Sequence, residues 1–166
     1  LFLTEPDGNM ALALSDTEIA KALTPAVLAE RLEMLSGASA VVLDANLSEK
    51  SIHWVAEHVT APLFVDPVSV RKADKLRPVL GRFHTLKPNR IEAELLSGVS
   101  ITDEASLNRA ADALLATGLR RVFISLGGDG VFAADHNGRL HLPVPPAEMV
   151  NTTGCGDAFM AAITWA

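Results

Sequence analysis

Two glycines and one carboxylate near the C-terminal end of the sequence could do chemistry on a phosphate group. Residues 151–157 read NTTGCGD and lead into an apolar stretch, residues 158–163, that predicts the start of a helix. Glycine lets the backbone approach a ligand closely, and the first N–H groups of a helix have no partner within it. A helix N-terminus also attracts anions. We therefore expect Asp157 to stand beside a bound phosphate, a geometry that suggests phosphoryl transfer to a hydroxyl.

A second set of polar residues follows a predicted strand. Residues 87–92 read KPNRIE, so that Asn89 and Glu92 share one face at the start of a helix. This spacing is typical of a capping box, in which the two side chains cap each other's backbone N–H groups. The same oxygen-rich corner could hold a hydrated magnesium ion, because Mg2+ keeps several waters and takes few protein carboxylates. Both interpretations can hold at once.

A third motif, SLGGDG at residues 125–130, contains three glycines between two predicted strands. It is either a hairpin turn or a backbone surface that contacts the phosphates or ribose of a nucleotide. Residues 44–46 (DAN) and 66–69 (DPVS) are likewise either turn and cap residues or groups that face a substrate. Cys155 is either a small filler in a tight turn or, beside a helix N-terminus, a somewhat acidified thiol.

The composition favours one domain that binds small molecules. With 166 residues and 49% hydrophobic content, the chain can bury one substantial core. The net charge of −6, without a cluster of Lys or Arg, argues against a nucleic-acid partner. Neither a membrane span nor a signal-peptide pattern is present, so we expect no membrane partner. The single cysteine is consistent with a reducing cytoplasm, where we expect the protein to be located.

Other known site patterns are missing from the sequence. There is neither a G-x-x-x-x-G-K-[ST] loop nor a G-x-G-x-x-G fingerprint, and the five histidines lack the spacing of metal ligands. A P-loop or dinucleotide site is therefore not expected.

Apolar strands that alternate with amphipathic helices must position the three motifs. The alternation predicts a three-layer α/β/α sandwich with a mostly parallel central sheet. Because ligands bind at the carboxyl ends of such strands, the polar residues that end them should lie along one rim. These rim residues are Asp44, Asp66, 87–89 and 125–130. Strands are predicted at 40–44, 63–66, 83–86, 121–126, 131–134 and 140–144, helices at 25–37, 48–58, 89–96 and 103–117, and a hairpin at 1–14 with its turn at 6–9.

In this order and spacing, KPNRxE, SLGGDG and NTTGCGDAF resemble the ribokinase-like (PfkB-type) carbohydrate and nucleoside kinases over essentially the whole chain. Residues 66–75 and 44–47 are most similar to the pseudouridine kinases within that family. The resemblance implies a ribokinase-like fold and an ATP-dependent kinase acting on the 5′-hydroxyl of a ribosyl compound, with pseudouridine as the first choice. Another sugar or nucleoside is the alternative acceptor. The competing hypothesis is a non-catalytic nucleotide-binding module.

The resemblance also assigns roles at the glycine turn and the metal corner. Asp157 becomes the base that accepts the proton of the substrate hydroxyl, while the backbone amides at residues 154–156 form an anion hole. These three residues are Gly154, Cys155 and Gly156. Asn89 and Glu92 lie near Mg2+ and its waters. The residues implied to contact ATP are Asn89, Ser125, Gly127, Gly128, Gly130 and Thr152.

The sequence departs from the family pattern in two respects. Asn151 stands where many members have Asp, at a position that with Thr153 contributes to a monovalent-cation site, so K+ activation is left open. Members also carry an N-terminal part that binds the sugar and forms most of a lid, and a C-terminal continuation. We therefore expect residues 1–166 to be the C-terminal part of a kinase domain, truncated at both ends, and weakly active or inactive alone. In this family the lid strands often pair two subunits. The full-length protein could therefore be a homodimer.

Overall fold

The centre of the protein is a six-stranded sheet, seen in a computed structural model that describes residues 2–4, 10–13, 16–145 and 152–166. Strands β3 to β6 are parallel, and β7 and β8 continue the sheet in antiparallel pairing. This confirms the predicted mostly parallel sheet. The strands are β1 (Phe2–Thr4), β2 (Met10–Ala13), β3 (Val41–Asp44), β4 (Leu63–Asp66), β5 (Thr85–Leu86), β6 (Arg121–Ser125), β7 (Val131–Asp135) and β8 (Arg139–Leu142).

Four of the described helices, those that start at residues 25, 49, 90 and 104, begin after a residue whose side chain caps them. Ser48 accepts a hydrogen bond from the Ser51 amide at 3.1 Å, and Asp103 accepts one from the Ser106 amide at 2.7 Å, as such N-terminal residues do. The helices are α1 (Pro25–Ala29), α2 (Leu32–Ser36), α3 (Glu49–His58), α4 (Val70–Ala73), α5 (Arg90–Ser97), α6 (Glu104–Leu115) and α7 (Cys155–Trp165), with 3-10 segments at Glu18–Ala22, Asp74–Arg82 and Gly127–Asp129.

The structure differs from the sequence prediction in two helical regions. The helix predicted at residues 25–37 is divided into α1 and α2. At the break, the Arg31 amide donates to the carbonyl three residues earlier, that of Leu28, as in a 3-10 turn, and not four residues earlier as in an α-helix. Residues 70–82, to which no element was assigned, form α4 and a 3-10 segment. The predicted hairpin is present as the antiparallel pair β1 and β2, and its turn at residues 6–9 lies outside the described residues.

Helices cover both faces of the sheet, as predicted for an α/β/α sandwich. The large core packs α3, α5 and α6 against one face. Phe64 points to the opposite face, because side chains alternate along a strand, and it packs there with Met160 and Ile163 of α7. Helix α7 therefore lies on the second face, with its first turn near the carboxyl ends of the parallel strands. Within the described ranges, no helix combines the length and the apolar character needed to cross a membrane.

Candidate active site

The three sequence motifs meet at the carboxyl ends of β5 and β6. The Ser125 amide donates to the Pro88 carbonyl at 2.9 Å, and Asn89 and Ser125 form a parallel β-bridge, which joins the second and third motifs. The ammonium nitrogen of Lys87 lies 3.5 Å from the position that a Cβ on Gly156 would take. This contact joins the second motif to the glycine turn. The predicted rim therefore exists, and it brings residues distant in sequence together.

The glycine turn forms the N-terminus of α7 and is exposed. Gly154 is the N-cap residue with a φ of 83°, a left-handed conformation that favours glycine, and a Cβ there would meet nothing within 4 Å. The Cys155 amide donates to the Thr152 carbonyl at 3.2 Å, so this amide, predicted to be part of the anion hole, stabilises the turn. The N–H groups of the two residues after Cys155 belong to the first turn, where N–H groups have no intrahelical partner. The Ala158 amide makes the first helical bond, to the Gly154 carbonyl at 2.9 Å. Asn151 lies outside the described residues.

Asp157 lines an open cavity of about 710 Å3 between α7 and the carboxyl ends of β3 and β4. Asp44 and Asp66, which are paired in register at the ends of those two strands, line the same cavity. Asp44 and Asp66, both predicted to lie on the rim, thus line the same space as Asp157 of the glycine turn. The rest of the lining is mainly apolar and includes Leu23, Ala40, Val42, Leu43, Leu47, Met160, Ala161 and Trp165.

Asp66 forms a buried ion pair with Lys87. The Lys87 ammonium lies 2.8 Å from Asp66 Oδ2, and Lys87 is only 5% exposed. The other oxygen of Asp66 accepts a hydrogen bond from the Val68 amide at 2.9 Å. Val68 has a φ of 66°, a strained conformation for a β-branched residue, so the turn after β4 is held in an unfavourable backbone geometry. Sequence reasoning placed both charged residues on the rim but missed that they pair.

Asp44 is held by the loop that follows β3. The amide of Asn46 donates to Asp44 Oδ1 at 2.9 Å, and its side-chain nitrogen donates to Oδ2 at 2.7 Å. Lys72 donates to the Asn46 side chain, and the Lys75 ammonium donates to two backbone carbonyls of the same loop at 2.6 and 2.7 Å. Burial, together with the charge of Lys72, lowers the pKa of Lys75. Asp44 is therefore a turn residue that also faces the cavity.

Asn89 and Glu92 form the predicted capping box at the start of α5. Glu92 is 3% exposed, and burial raises the pKa of its carboxyl group, with the charge of Asp66 raising it further. Among the described residues, no group of three or more His, Cys, Asp or Glu side chains is arranged to hold a metal ion. The side-chain oxygens of Asn89 and Glu92 are of the chemical type that accepts hydrogen bonds from the waters of a hydrated Mg2+.

The SLGGDG motif is a hairpin turn between β6 and β7, as the sequence predicted. The Leu126 amide donates to the Gly130 carbonyl at 2.8 Å and closes the turn around the 3-10 segment Gly127–Asp129. Gly130 has a φ of 97°, and a Cβ there would lie 2.0 Å from the carbonyl oxygen of Leu142. Glycine at this position is therefore required by the close approach of the end of β8.

The other two glycines of the turn leave its backbone open. A Cβ on Gly127 or on Gly128 would meet nothing within 4 Å. Arg90, the first residue of α5, forms an ion pair with Asp129 at 2.7 Å and so connects the turn to the capping-box helix. The backbone at this turn is thus accessible to a ligand at the same edge of the sheet as Asn89.

Comparisons with known proteins agree with this architecture. The sequence pattern of the pfkB family carbohydrate kinases matches residues 2–166. Pseudouridine kinase from Escherichia coli (strain K12) is 39% identical over 165 residues, which cover 98% of this chain and 53% of that protein. A putative sugar kinase from Clostridium perfringens superposes with a TM-score of 0.85 at 31% identity, covering 99% of this chain and 52% of the other.

A ribokinase from Thermotoga maritima shares the fold, with a TM-score of 0.75 at 22% identity over 89% of this chain and 50% of that one. The chain spans about half the length of each of these relatives. From the match over residues 2–166, together with the ribokinase-like α/β fold, the chain belongs to the pfkB family of carbohydrate kinases.

Proposed function

We propose that this chain carries the phosphoryl-transfer site of an ATP-dependent kinase that phosphorylates a hydroxyl group of a sugar or nucleoside. The observation that carries the proposal is the position of Asp157. Asp157 is exposed in the first turn of α7 and lines a cavity of about 710 Å3. Transfer of a phosphoryl group to a hydroxyl group needs two things from the protein. One is a positive end, here a helix N-terminus, to bind the phosphoryl group, and the other is a carboxylate to accept the proton.

In this proposal Asp157 is the general base. It accepts the proton of the acceptor hydroxyl as the oxygen attacks the γ-phosphoryl group, while the N-terminal amides of α7 stabilise the charge on that group. The transition state of phosphoryl transfer is loose, so alignment and charge stabilisation matter more than covalent chemistry. The amides are those of the turn formed by Gly154, Cys155 and Gly156, with the Cys155 amide released from Thr152 if it is to take part.

Magnesium and ATP complete the proposed site. When bound, Mg2+ would neutralise charge on the phosphates, and Asn89 and Glu92 would hold it through its waters. Support comes from the side-chain oxygen atoms of this corner. The nucleotide would lie along the open backbone of the glycine-rich turn. The residues proposed to contact it are Ser125, Gly127, Gly128, Gly130 and Thr152.

The acceptor that we propose first is pseudouridine, phosphorylated on its 5′-hydroxyl to pseudouridine 5′-phosphate. The 39% identity to the E. coli pseudouridine kinase supports this choice. Another nucleoside is the alternative, since a guanosine-inosine kinase from Exiguobacterium acetylicum is 27% identical over 98% of this chain. The rigidly held Asp44 carboxylate and the apolar wall of the cavity suit a ligand with both hydroxyl groups and a flat ring.

A turnover assay on the product of the complete gene tests the proposal. ATP and MgCl2 are supplied with pseudouridine, uridine, guanosine, inosine or ribose, in K+ or Na+ buffer, and the phosphorylated product is quantified. We expect the highest kcat/KM with pseudouridine. If only another acceptor is phosphorylated, the proposed kinase activity stands and the proposed substrate is wrong. Binding of ATP by calorimetry without turnover of any acceptor would favour a non-catalytic nucleotide-binding module.

A further inference from the structure

We propose that the Lys87 ammonium group is part of the phosphoryl-binding site, where it acts together with the N-terminal amides of α7. This inference rests on the proposed function and deepens it. The ammonium lies 2.8 Å from Asp66 Oδ2 and 3.5 Å from the Cβ position of Gly156, in the first turn of α7. Its partner Asp66 lines the cavity that Asp157 also lines, and the ammonium itself adjoins the turn that would receive the phosphoryl group.

Fold stability does not explain a lysine at this place. The N-terminal end of α7, a helix of 11 residues, carries partial positive charge, which favours carboxylates and repels cations. The Lys87 side chain is buried, and a buried ion pair contributes little net stability because both charges lose their hydration. An arriving anion does explain it, since the ammonium and the helix end would then attract the same group.

The ammonium has the capacity to bind a second group. A lysine has three N–H donors, and Asp66 accepts at one of its oxygens from Lys87 and at the other from the Val68 amide. Asp66 is thus fixed by the backbone and holds the ammonium in position. A charge held in place before the reaction stabilises a transition state more effectively than a mobile one, because nothing has to reorganise.

Asp66 also balances the charge of the Lys87 ammonium before the phosphoryl group arrives. Asp44, Asp66 and Asp157 line one cavity, and without Lys87 their charges would repel the γ-phosphate. Lys87 could then act in either of two ways, by neutralising Asp66 alone or by contacting the phosphoryl group itself. Our proposal is the second, and removing both charges of the pair distinguishes the two.

A phosphate titration followed by NMR tests the contact without requiring turnover. The 15N-labelled 166-residue chain is titrated with inorganic phosphate, and the Gly156 amide signal is followed in the wild type, Lys87→Met and Asp66→Asn/Lys87→Met. We expect saturable binding to the wild type and at least about tenfold weaker binding to both variants, the effect of losing a charge-assisted hydrogen bond. Lys50→Met, a change at an exposed residue of α3, is the matched control and should bind as the wild type does.

The double variant also covers the case in which Lys87→Met does not fold, because it leaves no unpaired buried carboxylate. Wild-type phosphate affinity in the double variant would show that Lys87 only neutralises Asp66 and would overturn the proposal. Absence of saturable phosphate binding to the wild type would overturn it as well. Lys87→Arg, which keeps the charge, should recover part of the affinity.

Turnover of the complete gene product separates this inference from the proposed function. We expect kcat at saturating ATP to fall by about 100-fold or more in the double variant, as for the loss of one donor to a developing oxyanion. If phosphate binds through Lys87 but no acceptor is phosphorylated, the proposed function fails and this inference stands. If the wild type phosphorylates an acceptor and the double variant keeps its kcat, this inference alone fails.

Discussion

Asn89 and Glu92 cap each other at the start of α5 through two hydrogen bonds of 2.9 Å, one from each backbone amide to the other side chain. The same two residues are the ones proposed to hold Mg2+. Burial raises the pKa of the Glu92 carboxyl group, and the charge of Asp66 raises it further, whereas Lys87 lowers it. One carboxyl group thus caps the helix and belongs to the proposed metal site, and its ionised form is less favoured in the folded chain than in water.

The raised pKa of Glu92 predicts how stability depends on pH. Its folded-state pKa lies above the ordinary value of 4.5, so its favourable contribution is present below pH 4.5 and is lost as the pH rises through the folded-state value. Glu92→Gln removes this loss and keeps an acceptor for the Asn89 amide. We expect the variant to gain stability relative to the wild type between pH 4 and pH 7, measured by urea unfolding in EDTA.

The control for this experiment is Glu57→Gln, at an exposed residue of α3. Its stability difference from the wild type should change little over the same pH range. A Glu92→Gln variant whose stability relative to the wild type stays constant or falls from pH 4 to pH 7 would contradict the account of the buried carboxylate.

Gly130 is predicted to be essential for the fold. In Gly130→Ala, the new Cβ would lie 2.0 Å from the carbonyl oxygen of Leu142, at a φ of 97°. Left-handed strain and overpacking each cost about 1 to 3 kcal/mol, so we expect a loss of about 3 kcal/mol in the free energy of unfolding. Chemical denaturation measures this. A loss below about 1 kcal/mol would mean that the end of β8 moves away easily.

Gly128→Ala in the same turn should separate nucleotide binding from stability. A Cβ at Gly128 meets nothing within 4 Å, so we expect the free energy of unfolding to stay within about 1 kcal/mol of the wild type. If ATP contacts this backbone as proposed, the methyl group should weaken ATP binding, measured by isothermal titration with MgCl2. Unchanged ATP affinity would argue against a nucleotide at this position.

The rim of the site could be predicted from local sequence patterns. Strands that are apolar up to their last residue, such as β4, indicate a parallel sheet, and the carboxyl ends of parallel strands lie at one edge. Asp44 and Asp66 consequently lie at one edge of the sheet, as expected, and the structure pairs them in register. The cap of α5 was also predictable, because Asn89 and Glu92 interact within one helical turn.

Contacts between distant segments could not be predicted in this way. The ion pair of Lys87 with Asp66 depends on the side-chain rotamers of the two residues, which follow different strands. The periodicity of a strand carries no information about these rotamers. The position of α7 depends on packing with another strand, including the edge-to-face contact of Phe159 with Phe123 at 6.0 Å between ring centroids. No helix was predicted at residues 70–82 because Pro78 interrupts the helical pattern. The burial of Leu76 and Leu80, which stabilises the 3-10 segment there, depends on tertiary packing.

The role of Asp157 is tested most directly by its replacement with Asn in the product of the complete gene. We expect kcat to fall by about 100- to 10,000-fold, the usual contribution of a general base, while the Kd for ATP stays within about twofold. Asp16→Asn, a change at an exposed residue far from α7 in sequence, is the matched control and should keep its kcat. An Asp157→Asn variant that turns over pseudouridine at the wild-type rate would contradict the account.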